Sequence, residues 1–413
     1  MHNNRTNLTV IDRLANRPRV KEVALAKRIN RYAYFSELNG GTGPRTLIEG
    51  EEVLNFGSNN YLGMASHPAV VEAGHRGLDN WGAGVTGSRL MNGNLKIHRL
   101  LEEELADFYG REAALVFPTG YTANLGLMSA LLERGDAAFV DEEVHASLLD
   151  GISLARARVR RFQHSEPTSL SEKLEGASTG LCAIEGVYSM RGDHAPVRDL
   201  VAVASKFGYP MIVDEAHGLG TAGRLGRGVV EVDDVIDSVA AITVTFSKSL
   251  GSCGGAVIGD SALIDALRVM ARPFLFTASN TPTAIECARM ALRLLREGPE
   301  MVSEVQLLAN HLRRGLRDAQ IESLGSSSPV VAVEIGSDFE TLHAWRLMRN
   351  RGLFVNAVVS PAVAVDKGLI RMSVMRNHTL AEVEQAVETF VEVFSEVVPN
   401  RLVSEPSFEG SIV

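Results

Sequence analysis

Ile242-Thr243-Val244-Thr245-Phe246-Ser247-Lys248-Ser249-Leu250-Gly251 is a short apolar run that closes on two hydroxyls and a lysine, with Gly254-Gly255 just behind. A lysine at the end of a buried strand is unusual, because burial lowers its pKa and frees the amine for a Schiff base. Taken alone, it is also what a solvent-facing charge looks like. Similar apolar runs recur at 114–117, 137–140, 181–184, 211–213 and 256–258. Helix-compatible segments separate most of them. The alternation predicts an α/β fold, with a largely parallel sheet wrapped by helices. Such sheets bind ligands beyond the carboxyl ends of their strands.

Three further segments place polar residues just after such runs. Phe117-Pro118-Thr119-Gly120-Tyr121-Thr122-Ala123-Asn124 is a strand end, a glycine turn and a helix start. A helix N-terminus binds phosphate through its free N–H groups, although a plain strand-to-helix turn has the same look. In Met211-Ile212-Val213-Asp214-Glu215-Ala216-His217, Asp214 closes a strand and is placed to pair with a buried cation. A capping aspartate and a satisfied core histidine are the plainer readings, and too few ligands gather here for a metal. Asp141-Glu142-Glu143-Val144-His145-Ala146-Ser147 brings His145 to another strand end, to stack on a planar ring or act as acid or base. Each signal is weak singly. Together they set a phosphate turn, an anion, a lysine and a histidine on one sheet edge, as a cofactor site requires.

Outward from the site, residues 18–38 suggest a surface helix. Ile97, Leu100, Leu101, Leu105 and Phe108 predict a helix with Glu102, Glu103 and Glu104 facing away. The basic stretch Arg156 to Arg161 is expected to be a solvated face. A break near Gly298 precedes a helix over 301–316, strands at 330–335, 353–358 and 370–374, and a last amphipathic helix through Val383 and Val397. The expected organisation is an N-terminal helical segment at 1–54, a large domain at 55–298, a smaller α+β domain at 299–398, and a tail at 399–413.

The 413 residues carry 41 Lys+Arg against 50 Asp+Glu, a net charge of −9, which argues against nucleic acid or an anionic membrane surface as partner. Three scattered cysteines form neither a disulfide framework nor a zinc pattern. Residues 1–30 lack the apolar core of a signal peptide, and no apolar run nears the roughly 18 residues that span a bilayer. A cytoplasmic protein without an integral membrane segment is expected.

Ordered matches from about Asn55 to Thr379 resemble the α-oxoamine synthase family of pyridoxal-phosphate enzymes, fold type I. They include Ser58-Asn59-Asn60-Tyr61-Leu62-Gly63, Thr86-Gly87-Ser88-Arg89, His145-Ala146-Ser147, Glu185-Gly186-Val187-Tyr188-Ser189-Met190, Asp214-Glu215-Ala216-His217 and Thr245-Phe246-Ser247-Lys248. Where long-chain members carry Pro-Pro-Ala-Thr-Pro, this chain has Ser360-Pro361-Ala362-Val363-Ala364. The resemblance implies a mostly parallel seven-stranded sheet with helices on both faces. It implies that Lys248 carries pyridoxal 5'-phosphate and moves the α-proton, and that Asp214 keeps the ring nitrogen protonated. His145 would stack on the ring and contact the substrate carboxylate. His217 and Ser189 would bond the ring hydroxyl oxygen, and Thr119, Gly120, Tyr121 and Thr245 would line the cofactor. Thr277 would reach the phosphate of a second subunit, implying a homodimer with shared sites. Arg371 would grip the amino-acid carboxylate, with Asn59 near it. The implied reaction is a decarboxylating condensation of a small amino acid with an acyl thioester. Serine and a long-chain acyl-CoA are favoured; glycine, alanine or a carrier-protein thioester are alternatives. Alanine with a pimeloyl thioester is the runner-up, and a non-catalytic partner subunit is the reading from another class.

Overall fold

The computed structural model describes residues 9–28, 32–177, 179–325 and 327–399. Its strands, in chain order, are β1 (Arg45–Ile48), β2 (Glu51–Asn55), β3 (Ala113–Phe117), β4 (Ala137–Asp141), β5 (Arg158–Phe162), β6 (Gly180–Glu185), β7 (Met211–Asp214), β8 (Ala241–Thr245), β9 (Gly255–Gly259), β10 (Val330–Gly336), β11 (Leu353–Phe354), β12 (Asn356–Val358) and β13 (Gly368–Ser373). A seven-stranded sheet in the order β3-β9-β8-β7-β6-β4-β5 forms the centre. From β8 across to β5 the neighbours run parallel, and β9 is antiparallel to both β8 and β3.

The central strands β4, β7, β8 and β9 are buried along their whole length. Both faces are covered, which explains their near-continuous apolar sequences. Alternate residues enter different cores: Val213 and Ile242 pack on one face, Ile212 and Ala241 on the other. Parallel running delivers Asp141, Glu185, Asp214 and Thr245 to the same carboxyl edge.

The stretch expected to be a solvated basic face is the edge strand β5, paired with β4. Of its residues only Phe162 is buried, so no apolar run marks it. Exposed arginines are what a sheet edge carries to discourage further pairing. Glu102 also departs from expectation. It lies on the helix Lys96–Tyr109 but is buried, bonded to Arg89 at 2.8 Å and Arg268 at 3.2 Å. It also accepts the Val116 N–H at 3.0 Å, tying the helix to β3. Glu103 does face solvent, and Glu104 is half-buried against Arg289.

The expected surface helix spans Pro18–Arg28; residues 29–31 lie outside the described residues, and 32–38 are not helical. The N-terminal segment expected to be helical to residue 54 also holds the β1–β2 hairpin, and β2 pairs parallel with β11. The single strand expected over 353–358 is two: β11 joins β2, and β12 joins β13. The tail from residue 400 lies outside the described residues. Past β2, the Phe56 carbonyl accepts the Ser373 N–H of β13 at 2.7 Å. That bond draws residues 56–61 alongside β13 and brings Asn59 and Tyr61 to Arg371.

Glu102→Ala would leave Arg89 buried without its carboxylate and the Val116 N–H without an acceptor. The expected cost is about 3–5 kcal/mol, read as a lower melting temperature. Glu103→Ala, on the exposed face, is expected to stay within about 0.5 kcal/mol.

Candidate active site

The carboxyl edge of the central sheet opens into a cavity of about 240 Å³. Thr119, Gly120, Tyr121, His145, Asp214, His217, Thr245 and Lys248 all line it. Lys248 follows β8 by three residues. Burial pushes its amine down to about 8, against the upward pull of the Asp214 and Glu185 charges. An amine in that range keeps a minor but useful neutral, nucleophilic fraction near physiological pH, far larger than an ordinary lysine has.

Asp214 is almost wholly buried, and each of its oxygens has a donor. Oδ2 accepts Asn124 Nδ2 at 2.7 Å, and Oδ1 accepts the Ala216 N–H at 2.9 Å. Glu185 ends β6 directly opposite Asp214 in the strand register. Burial first, then the Asp214 charge, pushes the Glu185 carboxyl well above the usual carboxylate range. Of the two adjacent carboxyl groups, Glu185 is therefore the one whose ionisation the site disfavours.

At the other end of the cavity, the helix Gly120–Leu131 points its N-terminus inward. Thr119 caps it, taking the Thr122 N–H at 3.0 Å, while the Ala123 N–H goes to the Thr119 carbonyl at 3.0 Å. The Gly120 and Tyr121 N–H groups remain for an anion. A side chain at Gly120 would sit 2.8 Å from Thr245 Cβ, and one at Gly255 would sit 2.5 Å from the Gly120 backbone. Thr245 Oγ1 lies 2.9 Å from Ser247 Oγ, beside those N–H groups. Bare backbone, two hydroxyls and a positive helix end form a cradle shaped for a phosphate.

His145 caps the helix Ala146–Ala155. Burial, chiefly, and the Lys248 charge lower its pKa against the pull of Asp214 and Asp150. Its ring meets that of Tyr121 edge-on at 6.4 Å, and the Tyr121 hydroxyl bonds Asp150. His217 is buried, with Nδ1 2.8 Å from the Tyr61 hydroxyl, and burial with the Lys248 charge holds it well below the usual histidine range.

Arg371, Asn59, Ser189 and Thr277 do not line this cavity. The first three meet one another beside it. Arg371 Nε donates to the Ser189 carbonyl at 2.6 Å, Nη1 to Asn59 Oδ1 at 3.1 Å and Ser373 Oγ at 2.9 Å, and Nη2 to the Tyr61 hydroxyl at 3.2 Å. Through Tyr61 the arginine is one hydroxyl away from His217. Thr277 is half-buried on a separate loop. The sequence reading did not single out Asn124, Ser147, Glu185 or Tyr61. Asn124 was detectable, lying one helical turn beyond Gly120 on the same face.

The residues fit pyridoxal 5'-phosphate. The cradle would take its phosphate, Lys248 its aldehyde, Asp214 its ring nitrogen, and His145 a face of its ring. Residues 51–390 match the family model described as aminotransferase class I and II. A serine palmitoyltransferase of Bacteroides ovatus is 37% identical over 366 residues, covering 88% of this chain and 93% of that one. An 8-amino-7-oxononanoate synthase of Saccharophagus degradans is 36% identical over 382 residues, covering 91% and 96%. A solved serine palmitoyltransferase with a PLP internal aldimine superposes with a TM-score of 0.88 at 33% identity, covering 91% of this chain and 97% of that one.

In protein stripped of cofactor, the rate of covalent capture by Lys248 should rise with pH and level off above about 8. Because the Asp214 charge raises the Lys248 pKa, Asp214→Asn should move the midpoint down. Gly120→Ala, which crowds the cradle, should weaken cofactor binding about tenfold or more. Absorbance titrations read all three.

Proposed function

The chain belongs to the aminotransferase class I and II family, in its α-oxoamine synthase branch, and on that premise we propose that it condenses serine with a long-chain acyl-CoA. It is a pyridoxal-phosphate-dependent C-acyltransferase. The observation that carries the reading is the pairing of a depressed lysine with a buried carboxylate in one cavity. In the proposed reaction the α-carbon of the amino acid bonds to the acyl carbon, the thiol departs, and the carboxylate leaves as carbon dioxide.

The bound cofactor supplies an electron sink for the electrons left when a bond to the α-carbon breaks. Asp214, held by Asn124 and Ala216, keeps a proton on the ring nitrogen. Lys248 takes the α-proton and returns it, a task suited to an amine with a pKa of about 8. His145 orients the substrate, and Arg371 binds its carboxylate with Asn59 beside it. Ser189 contributes its carbonyl to hold Arg371.

A second cavity, of about 770 Å³, has Ser189 in its wall. Val144, Met190, Val363 and Leu369 give it apolar surface, and its three cations, Arg161, Arg191 and Lys367, are balanced by Glu142, Glu143 and Glu334, with Arg191 paired to Glu143 and Lys367 to Glu334. The apolar part of the wall suits an acyl chain, and the size favours a long one. The relatives named 8-amino-7-oxononanoate synthase keep alanine with a pimeloyl thioester as the second reading. Lys248, Asp214 and His145 together in one cavity speak for a catalyst and against a non-catalytic partner subunit.

We place the enzyme in the cytoplasm, in sphingolipid biosynthesis, as a homodimer. Among the described residues no helix is long and apolar enough to cross a membrane. Exposed Met91, Val269, Met270 and Phe276 lie near Thr277 in the chain or the fold and offer apolar surface for a second copy. There Thr277 would complete the partner's phosphate site.

Purified protein given serine, glycine or alanine with thioesters of graded length should release thiol and carbon dioxide fastest with serine and a long chain. Lys248→Ala should abolish release. Asp214→Asn should fold but exchange the α-proton at least about a hundredfold more slowly. Thiol release with no carbon dioxide would reject the condensation.

A further inference from the structure

The hydrogen atoms around Asn124 can be counted, and the count reaches His145. Asp214, as a carboxylate, only accepts. Its Oδ2 lies 2.7 Å from Asn124 Nδ2, and the opposite amide orientation would press two acceptor oxygens together. The carboxylate therefore fixes the amide. The second hydrogen of that nitrogen goes to Ser147 Oγ at 2.9 Å. A serine hydroxyl has a single hydrogen. With Asn124 donating to its oxygen, Ser147 turns that hydrogen to His145 Nδ1, 2.7 Å away. The Ser147 N–H also donates to Nδ1, at 3.2 Å. Two donors converge on Nδ1, so the ring proton of a neutral His145 sits on Nε2.

We infer that Asn124 and Ser147 are positioning residues that hold His145 as a neutral imidazole, with its Nε2–H offered to a substrate oxygen bearing negative charge. The oxygen is that of a carboxylate or of a thioester carbonyl under attack; this identity, and nothing else in the inference, rests on the acyl-transfer reading. His145 is then a hydrogen-bond donor rather than a base.

The surroundings favour the neutral ring. His145 sits at the positive end of the helix Ala146–Ala155. Lys248 faces it, and His217 is near enough to feel its charge. Asp214 and Asp150 pull the other way, while Glu185 is engaged with the main-chain N–H of His145. A proton on Nδ1 would point at two groups that are already donating. The count also leaves one acceptor over, Asn124 Oδ1, and that atom is buried without a hydrogen-bond partner. Removal of the Asp214 charge would let the amide turn and reverse every donor along the line. The cofactor-ring partner and the substrate donor are thus joined through two neutral side chains.

The test uses the full chain, cofactor-free and reloaded, with isotope-labelled histidine. Nitrogen NMR reports the tautomer, and the His145 signals are identified by their loss in His145→Asn. Wild type should show the Nε2–H form at neutral pH in both states. Asn124→Ala and Ser147→Ala should each give a mixture of tautomers, and Ser147→Thr, which keeps the hydroxyl, should restore the single form. In turnover, Ser147→Ala should lower kcat about tenfold, with Ser147→Thr recovering most of it. A wild-type ring protonated on Nδ1, or alanine variants that keep a single Nε2–H form, would overturn the inference. A failure to release thiol from any thioester would sink the acyl-transfer reading and leave the NMR result standing.

Discussion

A primary amine kept short of full protonation, facing a buried carboxylate, is the constraint that the rest of the structure serves. Parallel pairing of β7 with β8 meets it. Asp214 lies opposite Thr243 in the register, so both strands carry their polar residues to the same edge. An antiparallel pair would send one group to each end of the sheet. Burying both charges carries a desolvation cost, which the structure limits by giving each Asp214 oxygen a donor and by disfavouring a further charge on Glu185. The same cost is what lowers the lysine far enough to act.

Much of this was legible in the sequence because buried parallel strands leave apolar runs, and the chemistry follows each run. Asp214, Lys248, His145 and Gly120 all stand just past such a run. Arg371 was legible for another reason: Ile370 and Met372 beside it mark a buried strand, and a buried arginine needs partners. The elements that escaped had no apolar signature. β5 is an edge strand of arginines with one buried residue, and a solvated surface has the same composition. Glu102 sits in a run of three glutamates, and only the tertiary fold tells the buried one from its neighbours. Ser147 acts through hydrogen bonds to other polar groups, which no local pattern reports, and for Asn124 the only local signal is its helical spacing from Gly120. Ser189 contributes a main-chain carbonyl to Arg371, so its side chain was no guide to that contact.

The site also spans two sheets. Lys248 and Asp214 belong to the central sheet, Arg371 to the small sheet of β10, β13 and β12. The segment 56–61 bridges them, bonded to β13 at Phe56 and to Arg371 at Asn59 and Tyr61. The β1–β2 hairpin leads into this segment, so its pairing with β11 helps fix where Asn59 and Tyr61 meet Arg371.

Hydrogen counting at Arg371 shows why a second donor is needed. A guanidinium has five N–H groups. Ser189 takes the one on Nε, Asn59 and Ser373 take both on Nη1, and Tyr61 takes one of the two on Nη2. One N–H is left. A carboxylate arriving here meets a single uncommitted donor, unless it displaces Asn59 or Tyr61 from contacts that hold the arginine in place. Its other oxygen must find a partner on the cavity wall. On the inference drawn for His145, its Nε2–H would be such a partner, and the orientation of the substrate would then be shared between one arginine N–H and one imidazole N–H.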